Sequence, residues 1–223
     1  YHVRAYATNS VGTVYGTDKT FTTDPVTITD FDGNVYNVIR SSSQVWIKEN
    51  LKTTHLNDGT AIALVSLQTA WSNLTTAAYC WYNNNITNKD TYGALYNWYT
   101  ISTNKLCPTG WHVSTDDESL LLETFLEGKD VAGGKLKETG TSHWAAPNTG
   151  ASNEIGFTAL PGGWRSETGV FEFITLHGYW WTSSEPSAFP GNAWFRKIQY
   201  DSETAFRGYW NEKAGMSVRC IKD

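Results

Sequence analysis

Residues 106–128 read LCPTGWHVSTDDESLLLETFLEG and place the clearest helix of the chain directly behind a short strand-like run. Ser114 or Thr115 can accept from the unpaired N–H groups of a first turn, and Asp116, Asp117 and Glu118 complement the positive end of the helix dipole. Leu120, Leu121, Phe125 and Leu126 supply a face at helical spacing, and Glu127-Gly128 supplies the stop. The acidic trio could also be taken for acid/base chemistry, but helix-start capping accounts for it without further assumptions. A second short helix is expected at 132–137. Beyond Thr139 the helical period disappears, and Gly, Pro, Asn, Ser and Trp alternate with short strands such as FTALPGG, YWWTSS, AWFRKIQY and MSVRCIKD. Strands, then one or two helices, then a long loop-rich β region indicate an α+β fold.

Upstream, the opening 23 residues alternate in period two from Tyr1 to Ala7, turn at Asn9 to Gly12, and resume at Thr13 to Tyr15 and Lys19 to Thr22. They read as one hairpin, and two strands are not stable alone in water. Asp24-Pro25 punctuates the chain, so the expected division is residues 1–23 and residues 24–223. In the second part Asp32-Gly33-Asn34 is a turn signal between alternating runs. Ala61 to Leu74 fits a short helix or a loop.

Composition narrows the function. The formal net charge is −5, and no stretch clusters Lys and Arg with aromatics, so no nucleic-acid partner is expected. Nothing approaches the ~20 apolar residues of a membrane span. Eleven Trp and twelve Tyr stand against one Met, and such rings serve equally as core and as binding anchors. The three cysteines show no CxxC or Cys/His metal spacing, and one disulfide plus one thiol is the economical reading. The histidines His2, His55, His112, His143 and His177 are too scattered for a zinc site, and no GxSxG, Walker or Rossmann pattern occurs.

The runs VYNVIRSSSQVWIKENLKTTHLNDGT, AYCWYNNN with YGALYNWYT, LCPTGWHVSTDDE, GGKLKETGTSHW, GFTALPGGWR, GYWWTSSE, AWFRKI and SVRCIKD, in that order, resemble the Fibrobacter succinogenes major paralogous domain over roughly residues 26–223. The resemblance implies a C-type lectin-like fold with one main helix and a loop-rich β region. It also implies an extracellular or cell-surface location in bacteria. The opening stretch resembles the last two strands of a fibronectin type III domain, whose remainder would lie upstream. In a C-type lectin-like domain the terminal strands meet, which would pair Cys107 with Cys220; two buried thiols are the alternative. Cys80, in AYCWY, reads as a buried small hydrophobe.

The resemblance also bears on chemistry. GFTALPGGWR is similar to a segment of the formylglycine-generating enzymes, but their chemistry needs a cysteine pair where this chain has only Cys220, so a non-enzymatic module is expected. Glu185-Pro186-Ser187 looks like the Glu-Pro-Asn triplet of calcium lectins. With Ser third and no later Trp-Asn-Asp, ligands are few; no cofactor or metal is expected, calcium being the one ion brought into question. In GYWWTSSEP, Tyr179 and Trp181 point one way and Trp180 and Thr182 the other, so at least one Trp belongs in the core and a ring is free to reach the surface. By resemblance to receptors whose variable face is carboxy-terminal, the ligand-binding residues are Trp181, Ser183, Glu185, Phe189, Trp194, Arg196, Tyr200, Asp201, Phe206, Arg207, Tyr209 and Trp210. The expected function is adhesion to a protein or glycan. The alternative is a structural subunit that self-assembles through strand addition at residues 1–23.

Overall fold

In the computed structural model, described over residues 2–20 and 26–223, the chain is built from short strands and five α-helices. The opening segment holds β1 (His2–Val3), β2 (Tyr6–Asn9), β3 (Gly12–Tyr15) and β4 (Lys19–Thr20), with β2 paired to β3 and β1 to β4. Its turn is closed by the Asn9 carboxamide, which accepts from the N–H groups of Val11 and Gly12. The expectations at Tyr1, 21–23 and Asp24-Pro25 lie outside the described residues.

The main body continues through β5 (Thr27–Thr29), β6 (Val35–Ser41), β7 (Gln44–Ile47), β8 (Ala63–Leu64), α1 (Gln68–Ser72), β9 (Ala78–Cys80), α2 (Lys89–Tyr92), β10 (Leu95–Tyr96), α3 (Trp98–Ile101) and β11 (Trp111–Val113). After α4 (Asp116–Phe125) and α5 (Lys129–Leu136) come β12 (Gly162–Arg165), β13 (Phe171–Ile174), β14 (His177–Trp181), β15 (Asn192–Gln199), β16 (Phe206–Asn211) and β17 (Cys220–Lys222). The Asp30–Asn34 turn joins β5 to β6 as its Asp-Gly-Asn signal implies, and the 61–74 segment resolves into both a strand and a helix.

Two five-stranded sheets carry the fold, one in the order β11-β17-β7-β6-β5 and the other β13-β12-β14-β15-β16. The last strand thus lies between β11 and β7. Cys220 there is bonded to Cys107, with Cα atoms 6.0 Å apart across 113 residues of chain. Cys80 stays a buried thiol.

The central strands of both sheets are covered on two sides, which decides the fate of the YWW run. Tyr179 and Trp181 enter a core with Ile47, Tyr96, Trp98 and Phe195, while Trp180 enters a second core with Trp46, Leu122, Leu126, Leu136 and Trp144. All three rings are buried, so no ring of that run reaches the surface. Alternation separates the two sides of a strand, but it cannot say that helices cover the second side.

Helix α4 begins as expected: Thr115 and Glu118 form a reciprocal capping box. It ends with left-handed Glu127 and with the Gly128 N–H donating to the Glu123 carbonyl. Its inward face corrects the sequence reading. Leu122 and Leu126 are buried with Ser119 and Glu123, while Leu120, Leu121 and Phe125 are about half exposed. The buried stripe contains a carboxylate because Arg196 waits beneath it.

Helix α5 starts earlier than its sequence suggests, at Lys129. Its Gly133-Gly134 pair is a packing device, since a Cβ on Gly133 would sit 2.5 Å from the Thr204 carbonyl oxygen and one on Gly134 2.7 Å from that of Gly150. Three buried cations organise the irregular chain around this scaffold. Lys137 donates to the carbonyls of Thr149, Gln199 and Ser202; Arg165 to those of Gly169, Val65 and Ser66; Arg219 to those of Phe157 and Thr158 and to the Asn50 side chain. Each satisfies backbone acceptors that loops cannot satisfy among themselves.

Candidate functional site

Strand β16 forms one edge of its sheet and pairs only with β15 in that order, with Trp194 opposite Tyr209, Arg196 opposite Arg207, Ala193 opposite Trp210 and Lys197 opposite Phe206. Because successive side chains alternate, the carboxy-terminal residues expected to form one site divide between two faces.

The first face looks toward the start of α4. Phe189 stacks on Tyr209 with centroids 4.5 Å apart, Trp194 meets Tyr209 edge-on at 5.4 Å, and the Arg207 guanidinium lies 3.5 Å from the centre of the Trp194 ring. Arg207 also binds both Asp116 carboxylate oxygens through Nε and Nη2, the latter at 2.7 Å. The other claimant on Asp116 is Arg196, whose Nη1 lies 2.7 Å from Oδ1 and whose Nε bonds Glu123. Burial opposes ionisation of Asp116, but the hydrogen bonds from Arg207 and Arg196 outweigh it and hold the carboxyl below its ordinary range. Glu123, buried more deeply, is pushed up by burial despite Arg196. The result is an aromatic cluster whose one exposed cation is fixed in direction.

On the second face, Trp210 meets Trp164 edge-on at 5.4 Å and donates from its indole to Glu167 at 2.8 Å. Lys197 sits 4.7 Å over the Phe206 ring. Phe173 and His177 stack at 4.6 Å beside the buried Tyr179.

Of the twelve expected ligand-binding residues, Phe189, Trp194, Arg207 and Tyr209 form the first cluster, and Phe206 and Trp210 stand on the opposite face. Glu185 and Asp201 are exposed, in separate loops. Two residues are corrected outright. Trp181 is 1 % exposed with its indole donating to the Tyr96 carbonyl, and Arg196 is 7 % exposed inside its ion pairs. Ser183 is half-buried and spends its hydroxyl on the Val113 carbonyl, while Tyr200 packs on the second core. Sequence reading missed Asp116 as the hub and Phe173 as an exposed ring. Asp116 carried a sufficient explanation as a helix-start acid, and its arginine partners lie 80 and 91 residues away.

Among the described residues, no three His, Cys, Asp or Glu side chains converge as a metal-holding group. No helix among them is long and apolar enough to cross a membrane.

The fold and this edge define a disulfide-closed α+β domain with aromatic surface clusters on its terminal sheet. The chain belongs to the Fibrobacter succinogenes major domain family, whose sequence model matches residues 39–222. Comparison with curated proteins and with solved structures gave no match.

Proposed function

We propose that this chain is a non-enzymatic recognition module outside the cell, binding a protein or glycan through Phe189, Trp194, Arg207 and Tyr209. The observation that carries the reading is the contiguous stack of these four side chains at the surface, with the cation held by Asp116. Rigid aromatic rings beside an oriented arginine lose little entropy on binding, which is the makeup of interface anchors. The long-range disulfide supports an oxidising location. A C-type lectin-like architecture for residues 24–223, and a fibronectin type III-like origin for residues 1–23, belong to the same proposal.

A glycan and surface-protein array, probed with calcium and again with chelator, tests it. Phe189→Ala/Tyr209→Ala should lose the captured ligand, whereas Phe206→Ala/Trp210→Ala on the other face should keep it, with both melting temperatures near that of the parent. Arg207 is left intact because its removal would also take one of the two cations from Asp116. Calcium-dependent sugar capture would shift the site to Glu185.

A second reading rests on the opening hairpin, whose β2 and β3 residues are all exposed. Completion of its edges by a neighbouring copy would make the chain an assembly subunit. Deleting residues 1–23 would reduce assembly size if that reading holds and would leave ligand capture unchanged if recognition does.

A further inference from the structure

Strand β16 has an edge chemistry that its side chains do not reveal. Trp194 directs both backbone groups toward the β14 side: its carbonyl accepts from the Thr182 N–H and its N–H donates to the Ser184 carbonyl. In an antiparallel ladder direction alternates residue by residue, so Ala193 and Phe195 face β16, as does Gly191, whose carbonyl accepts from Glu212. Their partners Trp210 and Gly208 therefore face inward, as does Phe206 opposite Lys197. Arg207 and Tyr209 then present their N–H and C=O groups outward, on a six-residue strand with Phe206, Tyr209 and Trp210 all more than a third exposed. Natural edge strands are normally shielded by charge, proline or a bulge. Here the only charge on the strand is Arg207, and it is turned to Asp116.

We propose that β16 pairs antiparallel with β16 of a second copy of this chain, about a two-fold axis at Gly208, joining two five-stranded sheets into one. The register follows from the sequence of the strand, FRGYWN. Centred on Gly208, Arg207 and Tyr209 form reciprocal hydrogen-bonded pairs with Tyr209 and Arg207 of the partner, giving four backbone hydrogen bonds. Phe206 and Trp210 meet as non-hydrogen-bonded pairs, the class in which side chains approach most closely. A cation opposes an aromatic on one face, aromatics oppose each other on the second, and the glycines meet at the axis. Centring on Arg207 would oppose two arginines, and centring on Tyr209 would set Trp210 against a glycine. Only the Gly208 centre pairs every ring and cation of the strand. This inference does not depend on the ligand proposal. Both faces remain open, so the dimer would present the aromatic cluster twice.

Sedimentation of the full chain from about 10 µM to about 1 mM, a span that detects weak complexes, should show mass rising from 24.9 kDa toward twice that value. Tyr209→Pro removes an outward N–H not used by β15 and should hold the chain monomeric. Phe206→Cys/Trp210→Cys should cross-link under mild oxidation, because opposed Cα atoms in such pairs lie ~4.5 Å apart, within disulfide reach. Each single cysteine should not, since its own copy would be four residues away, ~13 Å along the strand. A monomer at the highest concentration, equal cross-linking by the single variants, or a dimer untouched by Tyr209→Pro would each overturn the pairing. So would a dimer that disappears when residues 1–23 are removed, which would assign self-association to the hairpin.

Discussion

Replacing Arg196 tests whether the polar knot beneath α4 is structural. The side chains of Arg196, Glu123 and Asp116 are 8 %, 5 % and 13 % exposed, so Arg196→Met strands Glu123 as a buried carboxylate without its cation. Asp116 keeps Arg207. Breaking one side of a buried pair costs ~3–5 kcal/mol. For a chain of this size about 2–4 °C of melting temperature accompanies each kcal/mol, so a fall of about 6–20 °C is expected. Replacing both partners, Arg196→Met with Glu123→Leu, should recover most of the loss, because an apolar pair of similar volume removes the desolvation penalty together with the attraction. Denaturant unfolding of the parent, both single variants and the double variant closes the cycle. A loss below ~1 kcal/mol for Arg196→Met, or no recovery in the double variant, would refute the reasoning. Ligand capture lost without loss of stability would return Arg196 to the binding surface.

Four further outcomes are expected. Cys107→Ser/Cys220→Ser opens a constraint spanning 113 residues and should lower stability by ~4–5 kcal/mol on the chain-entropy account, measured by denaturant unfolding. Cys80, its thiol pushed up to about 12 by burial, should stay unreactive toward thiol reagents in the folded parent. Burial disfavours the charged form of His112, but Asp223 and Glu118 outweigh it and raise its pKa above 6.5. Its stabilisation is therefore complete below that value and declines as pH rises through the folded pKa, a slope that His112→Gln should flatten in unfolding measured from pH 5 to pH 8. Lys137→Met withdraws the donor shared by the Thr149, Gln199 and Ser202 carbonyls; a loss of ~3 kcal/mol is expected, with faster amide exchange around those three residues.

The sequence by itself determined the local elements whose chemistry is local. The Thr115–Glu118 capping box, the Gly128 stop, the Asp30–Asn34 turn and the β14 and β15 runs all arise from residues within a few positions of one another, whereas β16 reads in the sequence only as an exposed segment. The ordered blocks along the chain were also enough to recognise the family. Tertiary structure alone decided which side of each element is covered. Leu121 looks like core and stands in water, while Glu123 looks like surface and is buried, because Arg196 approaches from a strand 73 residues later. Arg207 and Trp210, three residues apart, take opposite faces by strand alternation alone, but only the packing gives one to Asp116 and the other to Glu167. Periodicity supplies two sides to every strand, but what lies against each side is set by the packing of distant segments.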